Sequence, residues 1–479
     1  MTAMSRSRHP WTAVVALLAG CTTATTACGG QAAPRATGST PTTEAATTAA
    51  TATGRPLVAE EWPITACGTY SGTGCAPVGS RVDLTKPAFS DPTSITNPLF
   101  PISRSRSVIQ LGHVGDELFR SESTLLPYTG TIDWDGKQIT VVLVQYLAYR
   151  GGMIEEAAID RYAQADDGAV WYLGEDVFDY ADGAITETAG TWLAGRDGPP
   201  AMIMPAHPNV GDAFRSENVG GVVFEEMRVK AVGQTVAGPA GPVPGAIVLD
   251  ELGLEGDHAQ KIVAPGYGEF RTTSDGELEA VAVAAPTDSL QAPLPAALRS
   301  LTTGAWGVAE DARTEDWDAA SQTVTRMKGY WARLRAMRQP PMVAIALDAA
   351  LRTLTGTVAA EEAEGTLKAA VDVAQASLDL EQRYLPVGTV DVERVHLHTQ
   401  QLRIHAAAGN RTATLSEVAG IEWTVDRLGL PTPARAEIDT RLRALRAAVE
   451  GAHLQAAADH AARLAARLRT LAQGTADRT

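Results

Sequence analysis

Two halves of the chain differ in the spacing of their hydrophobic positions. From about residue 100 to 285, short apolar segments alternate with turns that contain Gly, Asp and Pro. Residues 139–149 (ITVVLVQYLAY) form an apolar run rich in β-branched residues, and residues 227–231 (MRVKA) alternate with a period of two. The other predicted strands are 105–111, 117–126, 154–164, 169–174, 184–193, 243–252, 259–264, 267–273 and 277–284. With no helical pattern between them, these strands predict an antiparallel meander, a sandwich or a partial barrel.

From about residue 301 to 475 the hydrophobic period changes to that of a helix. Predicted helix starts lie at Thr314, at Thr414 with Glu417 as a capping box, and at Thr432 before a proline. The last predicted helix has the clearest apolar face: Ile438, Leu442, Leu445, Val449, Leu464, Leu468 and Leu471. Five or six such helices predict an antiparallel bundle, and the fold class is therefore α+β.

These patterns divide the chain into five parts. They are a signal segment (1–20), a tether (21–56), a loop segment held by a disulfide (57–100), an acidic β-domain (101–295) and a helical bundle (296–475). Residues 195–210 (GRDGPPAMIMPAHPNV) are predicted as one long loop within the β-domain. Because no stretch after the N-terminus approaches about 20 apolar residues, no later segment is expected to cross a membrane.

The N-terminus has the pattern of an export signal. Arg6 and Arg8 precede the apolar run 11–19 (WTAVVALLA), which ends in the residues LAGC at 18–21. This ending resembles the lipobox of bacterial lipoprotein signal peptides. The resemblance implies a diacylglyceryl thioether on Cys21 and a protein anchored to the outer face of the cell membrane. An ordinary signal with a chance cysteine, or acceptance at Cys28, are the alternatives.

The segment after the signal is expected to be a flexible tether. Residues 22–56 are rich in Thr, Ala, Gly and Pro and contain no aromatic residue, so they cannot form a core. Beyond it, Cys67 and Cys75 flank a Gly- and Ser-rich loop (CGTYSGTGC). In an exported chain this pair predicts a disulfide.

The charge distribution argues against a polyanionic partner. The sequence carries 40 Lys and Arg against 56 Asp and Glu, a net charge of −16. Residues 301–479 contain 21 basic and 22 acidic residues, so the excess negative charge lies in the preceding part. Since phosphate binding needs a basic patch, no nucleic-acid partner is expected.

The common catalytic motifs are not found in the sequence. It contains no G-x-S-x-G elbow, no H-E-x-x-H zinc motif and no P-loop. The sequence therefore favours a non-enzymatic role, and no cofactor is expected.

Metal binding is an alternative hypothesis. Two E-x-x-H pairs, Glu393 with His396 and Glu450 with His453, lie on predicted helices, with Glu381 and Glu422 on neighbouring segments. This order resembles that of ferritin-like di-iron bundles, which implies a di-metal site. His453, however, shares its helix face with Arg446 and Arg467, which favours surface residues over a buried metal site. Two further groups of potential ligands are Met202, Met204 and His207 for copper, and Asp176, Asp179 and Asp182 for calcium.

Aromatic residues suggest where a ligand would bind. Five of them, Trp171, Tyr172, Phe178, Tyr180 and Trp192, fall within about twenty residues on adjacent predicted strands. A β core explains them, and so does an apolar cavity lined by Trp171, Tyr172, Trp192, Met202 and Met204. A curved sheet on a lipid-anchored tether resembles the half-barrel lipoprotein carriers of bacterial envelopes. The resemblance implies an envelope protein that binds a lipid or another apolar or amphiphilic molecule, or one that serves as an interaction module.

Overall fold

The fold is described from a computed structural model of the chain, which covers residues 76–254, 256–274 and 276–476, with side chains to residue 473. The predicted signal, the tether and the cysteines at positions 21, 28, 67 and 75 lie outside the described residues.

The first half is a 14-stranded antiparallel sheet. Its strands are β1 Ser107–Val114, β2 Glu117–Trp134, β3 Lys137–Arg150, β4 Met153–Gln164, β5 Val170–Ala181, β6 Ala184–Glu187, β7 Trp192–Leu193, β8 Ala201–Met204, β9 Ala213–Val219, β10 Val223–Gly238, β11 Gly241–Gly253, β12 His258–Ala264, β13 Gly268–Ser274 and β14 Glu277–Ala285. The order across the sheet is 6-5-4-3-2-1-14-13-12-11-10-9, and β7 and β8 both pair with β5.

The sheet curls so that strands near its two edges come into contact. Strand β8, which hydrogen-bonds to β5 near one end of the sheet, lies beside β9 at the other end. One large core cluster spans the interior, and it joins Val144 of β3 and Tyr162 of β4 with Met227 of β10 and Leu249 of β11. The described part of the chain therefore surrounds an enclosed interior, although no β8–β9 ladder closes the sheet.

Tight turns between neighbouring strands follow from the sequence. Asp135 and Gly136, between β2 and β3, have φ values of 53° and 71°, which is the backbone of a type I′ hairpin turn. Asp182 and Gly183 form the same kind of turn between β5 and β6. Gly183 also lies against the helical half, because a Cβ there would come within 2.6 Å of the backbone nitrogen of Ser416.

Nine helices are present in the described residues. A four-residue helix, α1, precedes the sheet, and eight longer helices follow it. Their bounds are α1 Ile102–Ser105, α2 Ala296–Arg313, α3 Trp317–Arg335, α4 Pro341–Ala359, α5 Ala363–Glu381, α6 Val387–Ala407, α7 Arg411–Asp426, α8 Thr432–Glu450 and α9 Leu454–Ala476. An antiparallel sheet followed by a helical array confirms the α+β prediction.

The helices pack against the outer face of the sheet. Ile109 of β1 and Val283 of β14 belong to the same core cluster as helices α2 to α6. Farther along, the indole nitrogen of Trp423 in α7 donates a 2.8 Å hydrogen bond to the hydroxyl of Tyr180 in β5. Phe178 and Tyr180 therefore serve the sheet–helix contact and not the interior.

A buried charge network crosses the same interface. The guanidinium of Arg427 in α7 donates to Glu122 of β2 at 2.7 Å and to Asp391 of α6 at 2.8 Å. Arg394 of α6 and Arg120 of β2 both donate to Asp379 of α5. Strand β2 and helices α5, α6 and α7 are thus linked by charges that are almost fully removed from water.

Several predicted boundaries are wrong for local reasons. Thr314 follows the end of α2, and the cap of α3 is Asp316, whose carboxylate accepts from the Ala319 nitrogen at 3.0 Å. Thr414 lies inside α7, which is capped by Asn410. Both true caps are stronger capping residues than threonine.

The remaining corrections concern the number of elements. The helical half has eight long helices and not five or six, because the last apolar pattern is split at 451–453 into α8 and α9. The predicted loop 195–210 contains strand β8, and the predicted strand 184–193 is divided into β6 and β7. Strand β9 was not predicted, since its charged residues hide its apolar positions.

Helix α4 bears on the expectation that no segment after the N-terminus crosses a membrane. Among the described residues it is the one helix that is long and apolar enough to cross a membrane by length and composition. Val343, Leu347 and Leu354 of α4 are fully buried in the helical core, so its apolar face has a partner within the fold.

Candidate functional site

The interior of the curled sheet contains a cavity of 110 Å³. Its wall is formed by strands β1 to β4 and β8 from one half of the curled sheet and by strands β10 to β13 from the other half. The segment 99–105 covers one end of the cavity. The apolar lining includes Leu99, Phe100, Ile102, Met204, Met227 and Leu249. A cavity of this kind, apolar with a few converging polar groups, is the usual form of a small-molecule site.

Aromatic rings extend from the cavity into the core. Phe100 meets Tyr162 edge to face with centroids 4.7 Å apart, and Tyr162 stacks on Tyr172 at the same distance. Tyr172 in turn packs against Trp192. This chain of rings fixes the wall on the β4–β5 side.

The polar wall contains both acids and a base. Gln110, Ser123, Asp160, Lys261 and Glu269 line the cavity. The Asp160 carboxylate accepts a 2.7 Å hydrogen bond from the Tyr172 hydroxyl. Gln110 is 2% exposed, and its side-chain nitrogen has no hydrogen-bond partner.

Carboxylates face each other across adjacent strands of the interior. Asp160 of β4 is the register partner of Glu175 of β5, and Glu156 is the partner of Asp179. On the far side, Glu225 of β10 is opposite Glu217 of β9. Residues directly opposite each other share a face at about 5 Å between Cβ atoms, and like charges there are destabilising. Three such pairs in one buried layer therefore lower the stability of the folded state.

On the β10–β13 side the acids surround a lysine. The ammonium of Lys261 lies 2.6 Å from Glu251, 3.8 Å from Glu269 and 4.0 Å from Glu225. Burial lowers the pKa of Lys261, but these carboxylates outweigh burial and raise it above its ordinary value. The lysine therefore stays charged.

Burial and mutual repulsion raise the pKa values of the other acids. The pKa of Asp160 is raised to about 7, chiefly by burial. Burial, followed by the charges of Glu217 and Asp160, raises the pKa of Glu175 well above its usual range. Burial also raises the pKa of Glu279 to about 8, although Ser121 donates a hydrogen bond to it. At neutral pH this interior layer holds protons that exposed carboxylates would release.

Of the five predicted ligand-binding residues, some lie at the cavity and others lie in the surrounding core. Met204 lines the cavity, and Tyr172 reaches its wall through Asp160. Trp171, Trp192 and Met202 are buried in the same core cluster, outside the cavity wall. The aromatic cluster therefore supports the site more than it forms it.

The predicted helical metal ligands are engaged with arginines. Glu393 pairs with Arg469 at 2.6 Å, and Glu450 lies 3.9 Å from Arg446. Burial and three nearby arginines lower the pKa of His396 to about 3, while its ring packs against Trp306. His453 is exposed between α8 and α9. Glu381 accepts from Thr302, and Glu422 pairs with Arg446.

The other predicted metal ligands are also dispersed. His207 is exposed, whereas Met202 and Met204 are buried. Asp176 pairs with Arg161, Asp179 is buried, and Asp182 lies in the β5–β6 turn. Within residues 76–476 that the structure describes, no group of three His, Cys, Asp or Glu side chains could hold a metal ion.

The acids of the interior were missed because charged residues on a strand usually indicate a solvent-facing side. In β4 (MIEEAAIDRYAQ), Glu156, Asp160 and Tyr162 occupy alternate positions and lie on the inner face. The alternation of residues along β4 does place Asp160 and Tyr162 on one face and Ile159 and Arg161 on the other. Only the curl of the sheet identifies which face is the interior.

No protein-family model matches this sequence, and no curated protein matches it significantly. The function must therefore be argued from the geometry of the site.

Proposed function

We propose that this protein is an exported, lipid-anchored envelope protein that binds a small apolar or amphiphilic molecule inside its curled sheet. The observation that carries the proposal is the cavity, which combines an apolar wall with buried polar groups. Pockets of this composition select ligands by shape and by a few hydrogen bonds. The anchor rests on the lipobox-like residues that end at Cys21.

The cavity limits the size of the ligand. At 110 Å³ it is comparable to engineered apolar cavities of about 150 Å³ that bind benzene. A full acyl chain, as in the half-barrel carriers, would require the covering segment 99–105 to move. The arrangement described here favours a benzene-sized ligand, or the end of a longer one.

A cavity-filling variant tests the proposal. Ser123 lines the cavity, so Ser123→Leu would place three additional carbon atoms in it. Benzyl alcohol is a suitable neutral probe, with binding measured by calorimetry on the full-length protein. We expect saturable binding to the wild type and at least about tenfold weaker binding to Ser123→Leu.

The matched control is Ser321→Leu, an equal change at an exposed position of α3. It should bind benzyl alcohol as the wild type does. Equal binding to the wild type and to Ser123→Leu would place the probe outside the cavity and contradict the proposal.

A further inference from the structure

The acids on the two sides of the cavity differ in whether a positively charged side chain lies beside them. On one side the ammonium of Lys261 lies among Glu251, Glu269 and Glu225. On the other side are Asp160, Glu175 and Glu156, of strands β4 and β5. In the part of the chain that the structure describes, none of these three carboxylates forms an ion pair with a lysine or arginine within 4.0 Å.

Of these three carboxylates, Glu175 is the most deeply buried. It is 0% exposed, neither of its carboxylate oxygens accepts a hydrogen bond from a basic or neutral donor, and the side chain that interacts with it is another acid, Glu217. One oxygen of Glu156 is likewise without a partner. Buried acceptors are normally satisfied, and each one left without a donor costs stability. The register places Glu175 on the same face as Asp160, which lines the cavity.

A ligand that brings both a hydrogen-bond donor and a positive charge would allow these acids to ionise, because an opposite charge nearby stabilises the carboxylate form. A protonated amine offers up to three N–H donors and one charge, and Lys261 shows that this interior holds such a group among carboxylates. Metal chelation fits less well, since the described side chains include no group of three arranged to hold a metal ion. The apolar remainder of an amine would face Phe100, Met204 and Met227 in the cavity wall.

We infer that the ligand of this site is an organic amine, whose ammonium group binds between Asp160 and Glu175 while its hydrocarbon part fills the apolar cavity. This inference rests on the proposed function, because it specifies the chemical class of the molecule held in the same cavity. Its ammonium group supplies donors to Glu175, and it supplies a positive charge beside both carboxylates.

The test compares three probes of matched shape on the full-length protein: benzylamine, benzyl alcohol and benzoate. We expect benzylamine to bind at least about tenfold more tightly than benzyl alcohol at pH 7, and benzoate to bind most weakly. If benzyl alcohol binds as tightly as benzylamine, or benzoate binds best, the amine inference is overturned and the proposed function stands. If none of the three binds, the proposed function fails as well.

Two variants locate the ammonium group. Asp160→Asn and Glu175→Gln keep the shape of each side chain and remove its ability to ionise. Each should reduce the preference for benzylamine over benzyl alcohol, taken as the ratio of the two dissociation constants, to about threefold or less. The matched control is Asp176→Asn, the next residue of β5, whose side chain pairs with Arg161 and is 44% exposed.

Asp176→Asn should keep the full preference for benzylamine. A preference that survives in both Asp160→Asn and Glu175→Gln would overturn the assignment to these carboxylates. Circular dichroism verifies that each variant is folded, and if one is not, the other variant and the three-probe comparison still decide the question.

Discussion

Asp160 and Glu175 lie directly opposite each other on adjacent strands, both buried in the interior of a curled sheet. Two carboxylates in this relationship repel each other when both are ionised, and burial reduces the screening that solvent would provide. The fold retains this cost next to a cavity that Asp160 lines. Strained or repelling groups of this kind are typical of binding sites, where a ligand relieves them.

The first prediction concerns pH. The native pKa of Asp160 is raised to about 7 and that of Glu279 to about 8, while unfolding returns both to ordinary values. Between those values the native state binds more protons than the unfolded state, so the free energy of unfolding decreases as the pH rises. We expect it to be lower by at least about 2 kcal/mol at pH 8 than at pH 5, as measured by denaturant titration.

Asp160→Asn should reduce this pH dependence and stabilise the protein at pH 8 by about 1 to 3 kcal/mol, because it removes a buried charge. The exposed change Asp176→Asn should leave the slope intact. A stability that rises between pH 5 and pH 8 in the wild type would refute the description of the interior acids.

The second prediction concerns the charge network between sheet and helices. Burial raises the pKa of Glu122, but Arg394, Arg427 and Arg120 together hold it well below its usual value. Arg427→Met would leave Glu122 and Asp391 with one fewer partner in a buried position. We expect a loss of about 3 to 5 kcal/mol in the free energy of unfolding.

Arg435→Met is the control for that loss. Arg435 pairs with Asp426 and Asp439 at a partly exposed position, where ion pairs contribute at most about 1 kcal/mol. Similar losses for the two variants would mean that burial does not distinguish the two sets of ion pairs.

The third prediction concerns His396. Burial and the charges of Arg469, Arg403 and Arg313 lower its pKa to about 3, so the ring remains neutral at all pH values above about 4. Its NMR ring signals, assigned by their loss in His396→Gln, should not move between pH 8 and pH 5. A midpoint near 6.5, the ordinary value for histidine, would show that the arginines do not act on this ring.

The fourth prediction concerns the anchor. If Cys21 carries the lipid, Cys21→Ser should move the protein from the membrane fraction to the soluble fraction, because stable anchoring requires the acyl chains. Cys28→Ser should remain in the membrane fraction. The reverse pattern would make Cys28 the acceptor, and no change in either variant would refute lipid anchoring.

Sequence patterns predicted the two halves because periodicity depends on local geometry. Residues 227–231 were predicted as an alternating strand, and Met227 and Val229 do face the core while Lys230 pairs with Asp250 on the outside. The helical half was recognised by the same reasoning, and its errors lie at the helix ends, where Asp316 and Asn410 compete with threonine as caps.

The site could not be predicted in the same way. Lys261 and Asp160 are about a hundred positions apart in the sequence, and only the curl of the sheet brings both to one cavity. The burial of Glu175 also depends on this long-range closure. Glu175 also lies beyond the predicted strand 169–174, and no local pattern distinguishes its burial from the exposure of its neighbour Asp176.

The most direct test of the central claim is native mass spectrometry of the full-length protein purified without denaturation from a bacterial envelope. We predict an added mass of a small organic molecule on the wild type, lost from Ser123→Leu and kept in Ser321→Leu. The same added mass on all three proteins, or a bare polypeptide mass for each, would contradict the claim that the interior of the sheet holds a ligand.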